Sequence, residues 1–282
     1  MREPLLRTIC QLAIGSSLLL AHLSCDMPSR TRDSHASQSN QTGLTRESDA
    51  LFQAVRNNDL AAVKESLNRK ADPNARDRDG FTPLMIASIR GSVEVVQVLI
   101  NVGADVNAAN PFTEATPLNM AILGRKPRVL ETLVASGVNV NAADSLGRTA
   151  LHKVVEQGDM ELLKPLLAAP ASDPNVKDKL GRTPLMSAYT LGDEGLLMLL
   201  NKGADVNAKS KTGRTALMEA TTAKARGPVK ILLERGADVN AKDNDDWTAL
   251  NEALLTGCAD IISMLEKAGG KSRSNRNATM RA

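Results

Sequence analysis

A short motif returns along this chain at a nearly constant interval, and no other feature of the sequence restricts the fold as strongly. The motif is Thr, then Pro or Ala, then Leu, and its successive copies lie 34, 33, 34, 32 and 33 residues apart. The copies begin at Thr82, Thr116, Thr149, Thr183, Thr215 and Thr248. A constant period of this length indicates a stack of similar small units rather than a single globular core.

A second motif keeps the same period. It reads Gly-Ala-Asp-Val-Asn or a close variant, and its copies begin at Gly103, Gly137, Gly203 and Gly236, with degenerate copies at Ala71 and Ser172. Composition agrees with stacking, because only 2% of the residues are aromatic although 42% are hydrophobic. Aromatic side chains usually anchor a globular core, whereas small aliphatic side chains suit thin layers of helices.

Each unit is predicted to form two helices. Thr caps the orphan amides at the start of the first helix, and Pro fits the first turn because its missing N–H would have no partner there. Gly91, Gly158 and Gly192 are expected to separate the two helices of their units. The Gly of the second motif should end the second helix in a left-handed conformation. Apolar residues of the second unit recur at helical spacing, at Leu84, Ala87, Val95, Val96, Leu99 and Ile100.

These residues resemble the ankyrin repeat, and the resemblance covers residues 47–270. It implies an all-α solenoid of helix-turn-helix units with projecting β-hairpin loops. We expect the outer faces to be polar at each end of the stack, since no unit covers them. Seven units fit, and they are numbered here in chain order as 47–80, 81–115, 116–147, 148–181, 182–213, 214–246 and 247–270.

Two units depart from the common pattern. Pro165 lies several residues into the second helix of unit 4, where it should cost about 3 kcal/mol unless the helix starts late or bends. Pro170 then stands where other units have Gly, so unit 4 is the predicted place for a kink or local opening. Each loop is counted here with the unit whose first helix it precedes. The loop of unit 3, at 110–114, is one residue longer and should project Phe112 beyond its neighbours.

The first residues are typical of a targeting signal. Arg2 and Arg7 precede an apolar stretch at 9–20 that has the length of a signal-peptide core and is too short to span a bilayer comfortably. We therefore expect residues 1–24 to be a signal peptide. Residues 25–46 are rich in Ser, Thr, Asn and Gln and are expected to be a flexible tether.

Cys25 resembles the lipidated cysteine of a bacterial lipoprotein, because the small residue Ser24 precedes it. His22 and Leu23 depart from the usual sequence of such signals. We expect lipidation at Cys25, which would hold the exported protein in the cell envelope, on the periplasmic side of a bacterial membrane, by its lipid alone. The alternative is an ordinary signal peptide that is cut nearby, leaving a secreted protein.

Charge and motifs argue against nucleic acid and against catalysis. The net charge is +3, of which the predicted disordered tail at 271–282 supplies +4, so the body is close to neutral and a poor match for nucleic acid. His152 is the only histidine of the repeats, and without a second ligand or nucleophile it is expected to be structural. The resemblance implies that it supports neighbouring backbone by hydrogen bonds. The acidic run 243–246 lacks the spacing of a calcium loop. We expect no enzyme, no metal and no cofactor.

Protein binding is the expected function. In the ankyrin family partners lie on the concave side, against loop tips and first helices, and the resemblance implies the same surface here. The residue before the motif Thr is Arg in units 4 to 6, so three arginines about 10 Å apart would line the centre of the groove, between aromatics at both ends. In the ankyrin family Arg is also common at this position whatever the partner. The alternative that these arginines belong to the repeat pattern and not to a contact therefore stays open. The predicted contact residues are Arg78, Phe81, Phe112, Leu146, Arg148, Lys179, Leu180, Arg182, Tyr189, Lys211, Arg214 and Trp247.

Two hypotheses for the whole protein follow. The first is a monomeric, non-catalytic scaffold or adaptor that holds an unidentified protein partner near a membrane. The second is a secreted effector that binds a protein of another cell.

Overall fold

The computed structural model describes residues 45–272, and these form one stack of paired helices with no strand among them. The signal segment, the lipidation site Cys25, most of the tether and the tail beyond Ser272 lie outside the described residues. Each of the seven units holds two helices, which confirms the predicted all-α solenoid. In chain order the helices are α1 (Arg46–Arg56), α2 (Leu60–Asn68), α3 (Pro83–Arg90), α4 (Val93–Asn101), α5 (Pro117–Leu123), α6 (Pro127–Ala135), α7 (Ala150–Gln157), α8 (Met160–Ala168), a 3₁₀ helix (Pro184–Leu191), α9 (Gly192–Asn201), α10 (Ala216–Thr222), α11 (Arg226–Glu234), α12 (Ala249–Thr256) and α13 (Ala259–Lys267).

The threonine of the first motif begins the first helix, as predicted. In four units its hydroxyl accepts a hydrogen bond from the amide three residues on, which satisfies one of the orphan donors of the helix. These threonines are Thr82, Thr116, Thr215 and Thr248. Pro or Ala follows in the first turn of every such helix.

The core is continuous from one end of the stack to the other. First helices pack against the first helices of neighbouring units, and second helices pack against second helices. A single cluster of buried apolar residues extends from Leu51 in unit 1 to Leu265 in unit 7. Because each unit buries its apolar face only against its neighbours, the stack is stabilised by the sum of these interfaces.

Asparagines of the second motif fasten each unit to the next. Asn175 Nδ2 donates to the carbonyl of Gly203 at 2.9 Å, and its Oδ1 accepts from the amide of Asp205 at 2.7 Å. The sequence predicted only a turn at these residues. The same two-way bond recurs at Asn74, Asn141, Asn207 and Asn240.

The loops that precede the first helices are closed turns, which take the place of the predicted β-hairpins in the described part of the chain. In unit 4 the amide of Asp144 donates to the carbonyl of Arg148 at 3.0 Å, and its carboxylate accepts from the amide of Arg148 at 2.9 Å. Successive loops are joined by their backbones, since the amides of Lys179 and Lys211 donate to the carbonyls of Leu146 and Leu180, both at 2.9 Å. The loop tips are therefore held in fixed positions relative to one another.

The irregular helix lies in unit 5 rather than in unit 4. Helix α8 stays α-helical through the buried Pro165 and ends at Ala168. The next residue, Ala169, has an extended backbone, which suits the residue before a proline. The first helix of unit 5 is a 3₁₀ helix, and Gly192 begins α9 directly with φ 67° and ψ −165°. Gly192 thus stands at the break between the two helices, as predicted, although no turn residue separates them.

The two ends of the stack differ in polarity. At the N-terminal end, the groove between α1 and α2 is lined mostly by polar and charged side chains, including Arg46, Gln53, Glu65 and Arg69. At the C-terminal end, Leu254 and Leu255 are 50% and 66% exposed. The expectation of polar outer faces thus holds at the first end, whereas at the second end Leu254 is left exposed because no further unit covers it among the described residues.

Candidate interaction surface

Two sequence positions define one face of the first helices, here called the inner face. The first is the residue before the motif Thr, and the second lies eight residues later, which is about two helical turns away on the same side. From unit 2 to unit 7 the pairs are Phe81 and Ile89, Ala115 and Leu123, Arg148 and Glu156, Arg182 and Thr190, Arg214 and Thr222, and Trp247 and Leu255. The face is therefore apolar at both ends and charged in the centre.

The central arginines of units 4 and 5 share one carboxylate. Glu156 lies 3.4 Å from Arg148 Nη1 and 3.6 Å from Arg182 Nη2 through its two oxygens. Each arginine also pairs with the aspartate of its own loop, Arg148 with Asp144 at 3.3 Å and Arg182 with Asp178 at 3.0 Å. These cations are thus neutralised within the chain.

Arg214 in unit 6 is held more tightly. Its Nε and Nη1 lie 2.6 Å from Glu219 and 2.6 Å from Glu252, and its Nη2 donates to Thr222 Oγ1 at 2.9 Å. Although burial alone would lower it, the hydrogen bonds to the two glutamates raise the pKa of Arg214. The side chain of Glu252 is only 8% exposed, so Arg214 compensates a nearly buried charge.

Asp144 links the network to a lysine. Lys153 Nζ lies 3.2 Å from its carboxylate. Burial alone would raise the pKa of Asp144, but the amides of Arg148 and Leu146 and the Lys153 ammonium together lower it. The centre of the inner face is therefore a balanced ion-pair network and not an open basic groove.

Units 2 and 3 form an apolar inner face. Met85, Ala108 and Met120 make a small buried cluster separate from the main core, and Phe81 and Ile89 cover it as partly buried side chains. Leu123 lies at the same position as Ile89 and is 37% exposed. In the adjoining loop Phe112 is 65% exposed, which confirms that the longer loop projects an aromatic side chain.

The remaining predicted contact residues lie at loop tips or on first helices. Arg78, Lys179 and Lys211 are exposed at the tips, as are the apolar residues Leu146 and Leu180. Tyr189 is exposed on the 3₁₀ helix, and Trp247 is half-buried.

Sequence reasoning missed Ile89, Leu123, Leu255 and Glu156. The eight-residue interval from the position before Thr is the signal that would have found them.

His152 is a structural residue, as predicted. It is buried, its Nδ1 accepts from the amide of Thr149 at 3.2 Å, and its Nε2 therefore donates to the carbonyl of Arg182 at 3.0 Å. Burial lowers the pKa of His152, which favours the neutral ring that this arrangement requires. The residue fastens unit 4 to unit 5.

Within residues 45–272, no group of three or more His, Cys, Asp or Glu side chains is placed to hold a metal ion. In the same range, no helix has the length and apolar character needed to cross a membrane.

Comparison with known families gives one clear match. The family model described as ankyrin repeats matches three stretches of the chain, at residues 51–144, 126–210 and 207–276. Among structures, the crystal structure of the ankyrin repeat domain of Bcl-3 superposes with a TM-score of 0.70 at 29% sequence identity, covering 80% of this chain and 100% of that domain.

Similar curated proteins match only in part. The mitochondrial disaggregase of Bos taurus is 45% identical over 64 residues, which are 23% of this chain and 10% of the relative. Protein phosphatase 1 regulatory subunit 27 of Mus musculus is 43% identical over 61 residues, which are 22% of this chain and 40% of the relative. The chain thus spans less than half the length of each of these two relatives.

Proposed function

The chain belongs to the ankyrin-repeat family, and from that premise we propose that it is a non-catalytic scaffold or adaptor that binds a protein partner on the concave inner face. We count its seven helix pairs as seven repeats and propose that the protein acts as a monomer. The fold is that of a protein-interaction module, and one similar protein is named as a regulatory subunit of a phosphatase.

The observation that most directly supports this proposal is the apolar inner face of units 2 and 3. Exposed apolar side chains that lie together on a rigid surface mark interaction sites more often than isolated ones do. Leu123 and Phe112 lie on one unit, from the end of its first helix to its loop tip, beside the Phe81 cluster. Large apolar anchors of this kind supply most of the binding energy in protein interfaces. We propose that they anchor the partner and that the central arginines border the contact.

The test is crosslinking in cells followed by purification from the envelope fraction. Wild type is compared with Phe112→Ser combined with Leu123→Ser, and with the matched control Val102→Ser. Val102 is a similarly exposed apolar residue that follows the second helix of unit 2. A partner that is recovered with wild type and the control but lost with the double variant is the expected result. Equal recovery with all three proteins would contradict an inner-face contact in units 2 and 3.

We further propose that the protein is tethered in the cell envelope through a lipid on Cys25. The support is the sequence alone, with its short positive region, its apolar stretch and the small residue before the cysteine. Cys25→Ser should remove labelled fatty acid from the protein and shift it from the membrane fraction to the soluble fraction. Wild-type protein that carries no fatty acid and accumulates in the medium would favour the alternative of a secreted effector.

A further inference from the structure

Near the inner face, the described cations that form no ion pair with a carboxylate lie on the loop tips and not in the arginine network. Lys177 and Lys179 belong to the loop of unit 5, and Lys209 and Lys211 belong to the loop of unit 6. All four side chains are exposed. The ammonium groups of Lys177 and Lys209 donate to backbone carbonyls at 3.1 and 3.0 Å, and no carboxylate neutralises any of the four among the described residues. We call these four residues the lysine tips.

The acidic residues of the same loops are already engaged. Asp178 accepts from Arg182 and from two backbone amides of its own loop. In unit 6 the equivalent position is Ser210, which carries no charge. The lysine tips therefore form a positive surface next to a network that is balanced.

Exposed leucines lie directly beside the lysine tips. Leu146 and Leu180 occupy the same position in the loops of units 4 and 5 and are 47% and 60% exposed. Their carbonyls accept from the amides of Lys179 and Lys211, so backbone bonds fix the leucines and the lysines relative to each other. A loop backbone that is already ordered loses little conformational entropy when a partner binds.

From this juxtaposition we infer that the loop tips of units 4 to 6 bind a protein segment in which acidic residues lie between leucine-like residues. Stacked helices lie about 10 Å apart, and the backbone bonds between the loops keep their tips no farther apart than that. A chain in the polyproline II conformation advances about 3.1 Å per residue and presents every third side chain on the same side. Two apolar side chains about three residues apart would therefore reach Leu146 and Leu180, while acidic residues between them would face the lysine tips. This inference rests on the proposed function and names the chemical class of the partner.

Other polyanions fit the same surface less well. Single-stranded nucleic acid is usually held by stacking on aromatic side chains as well as by charge, and no aromatic residue lies in the loops of units 4 to 6. An anionic bilayer would attract the four lysines but would not select paired leucines at a one-unit spacing.

The experiment is a selection of random twelve-residue peptides displayed on phage against the full chain. The enriched peptides should carry Asp or Glu together with large aliphatic residues about three positions apart. A synthetic representative should lose about tenfold or more in affinity to the double variant Lys179→Glu with Lys211→Glu, and a smaller part to Leu146→Ser with Leu180→Ser. The matched control is Lys64→Glu with Lys267→Glu, which makes the same charge change on exposed lysines of α2 and α13 and should bind like wild type.

Enriched peptides without acidic residues, or peptides that bind the lysine variant as well as wild type, would overturn the inference but leave the scaffold function intact. Lysine-dependent sedimentation with vesicles of phosphatidylcholine and phosphatidylglycerol, without peptide enrichment, would overturn it in favour of a lipid surface. Loss of the crosslinked partner through the Phe112 and Leu123 variant tests the scaffold function separately.

Discussion

Units 2 and 3 and units 4 to 6 use the same two inner-face positions in opposite ways. In unit 2 the pair is Phe81 and Ile89, which cover a buried apolar cluster. In unit 4 the equivalent pair is Arg148 and Glu156, which form an ion pair. Since the backbone of the unit is the same in both, the inner face can change its chemistry without changing the stack.

We call units 2 and 3 the apolar half and units 4 to 6 the charged half. The difference between them shows which half can bind a partner at a low cost in free energy. A partner that covers Leu123 or Phe112 removes apolar surface from water and displaces no bond within the chain. A partner that binds Arg148 or Arg214 has to compete with carboxylates that already hold these side chains. We therefore expect the apolar half to govern binding and the charged half to govern local stability.

The largest expected effect is on stability, in the charged half. Arg214→Ala should lower the free energy of unfolding by about 2 kcal/mol, because it leaves the nearly buried Glu252 without its partner. Urea unfolding followed by circular dichroism measures the change. Combining Arg214→Met with Glu252→Leu should recover much of the loss, since replacing both members by apolar groups removes the uncompensated charge. If Arg214→Ala is as stable as wild type, Arg214 does not stabilise the charge of Glu252.

The next effect is on binding, in the apolar half. Phe112→Ser with Leu123→Ser should weaken binding of the crosslinked partner by about 2 kcal/mol, or roughly 30-fold, as expected for the loss of interface anchors. The free energy of unfolding should change by less than about 1 kcal/mol, because both side chains are partly exposed. Titration of the purified partner gives the affinity. An unchanged affinity would place the contact elsewhere on the stack.

The sequence predicted the fold better than the site, because the fold follows from local signals whereas some ion-pair partners of the inner-face arginines are distant in the chain. Each unit carries its own caps, turn glycines and helical apolar spacing, so the helix pairs follow from local signals. Some partners of these arginines lie far along the chain, since Glu156 is eight residues from Arg148 and Glu252, 38 residues from Arg214, belongs to another unit. Such pairs become visible only when the units are aligned on the stack.

The 3₁₀ helix of unit 5 was missed for a different reason. Its residue Tyr189 stands where the other central units have the buried Ile122, Val155 and Thr221, and a tyrosine is too large for that tight contact. The 3₁₀ helix has three residues per turn, and in this unit Tyr189 lies outward while Leu191 is buried. The change of helix type thus coincides with one large side chain within an otherwise regular motif.

A smaller effect concerns pH and is confined to the charged half. His152 has a folded pKa below its unfolded value near 6.5, so its contribution to stability is complete above pH 6.5 and is lost as the pH falls below that value. The free energy of unfolding should fall between pH 7.5 and pH 5.5, by at most about 1.4 kcal/mol per pH unit.

Asn occupies the place of His152 in unit 7, where Asn251 Oδ1 accepts from the amide of Thr248 at 3.2 Å. His152→Asn should therefore keep the bond to Thr149 and make stability independent of pH in this window. Urea unfolding at several pH values measures both proteins. The same slope in wild type and variant would show that another group titrates.

The smallest effect distinguishes two roles for the central arginines, which are contact with a partner and ion pairing within the chain. Arg182→Ala should lower the free energy of unfolding by only about 0.5 kcal/mol, because its side chain is 40% exposed and both of its carboxylate partners keep other bonds. Glu156 retains Arg148, and Asp178 retains the amides of Leu180 and residue 182. Because this variant leaves the stack nearly intact, its affinity for the partner tests the arginine groove without the loss of stability that Arg214→Ala causes. An affinity equal to wild type would restrict the arginines to an internal role, whereas a tenfold loss at unchanged stability would extend the contact from the apolar half into the charged centre.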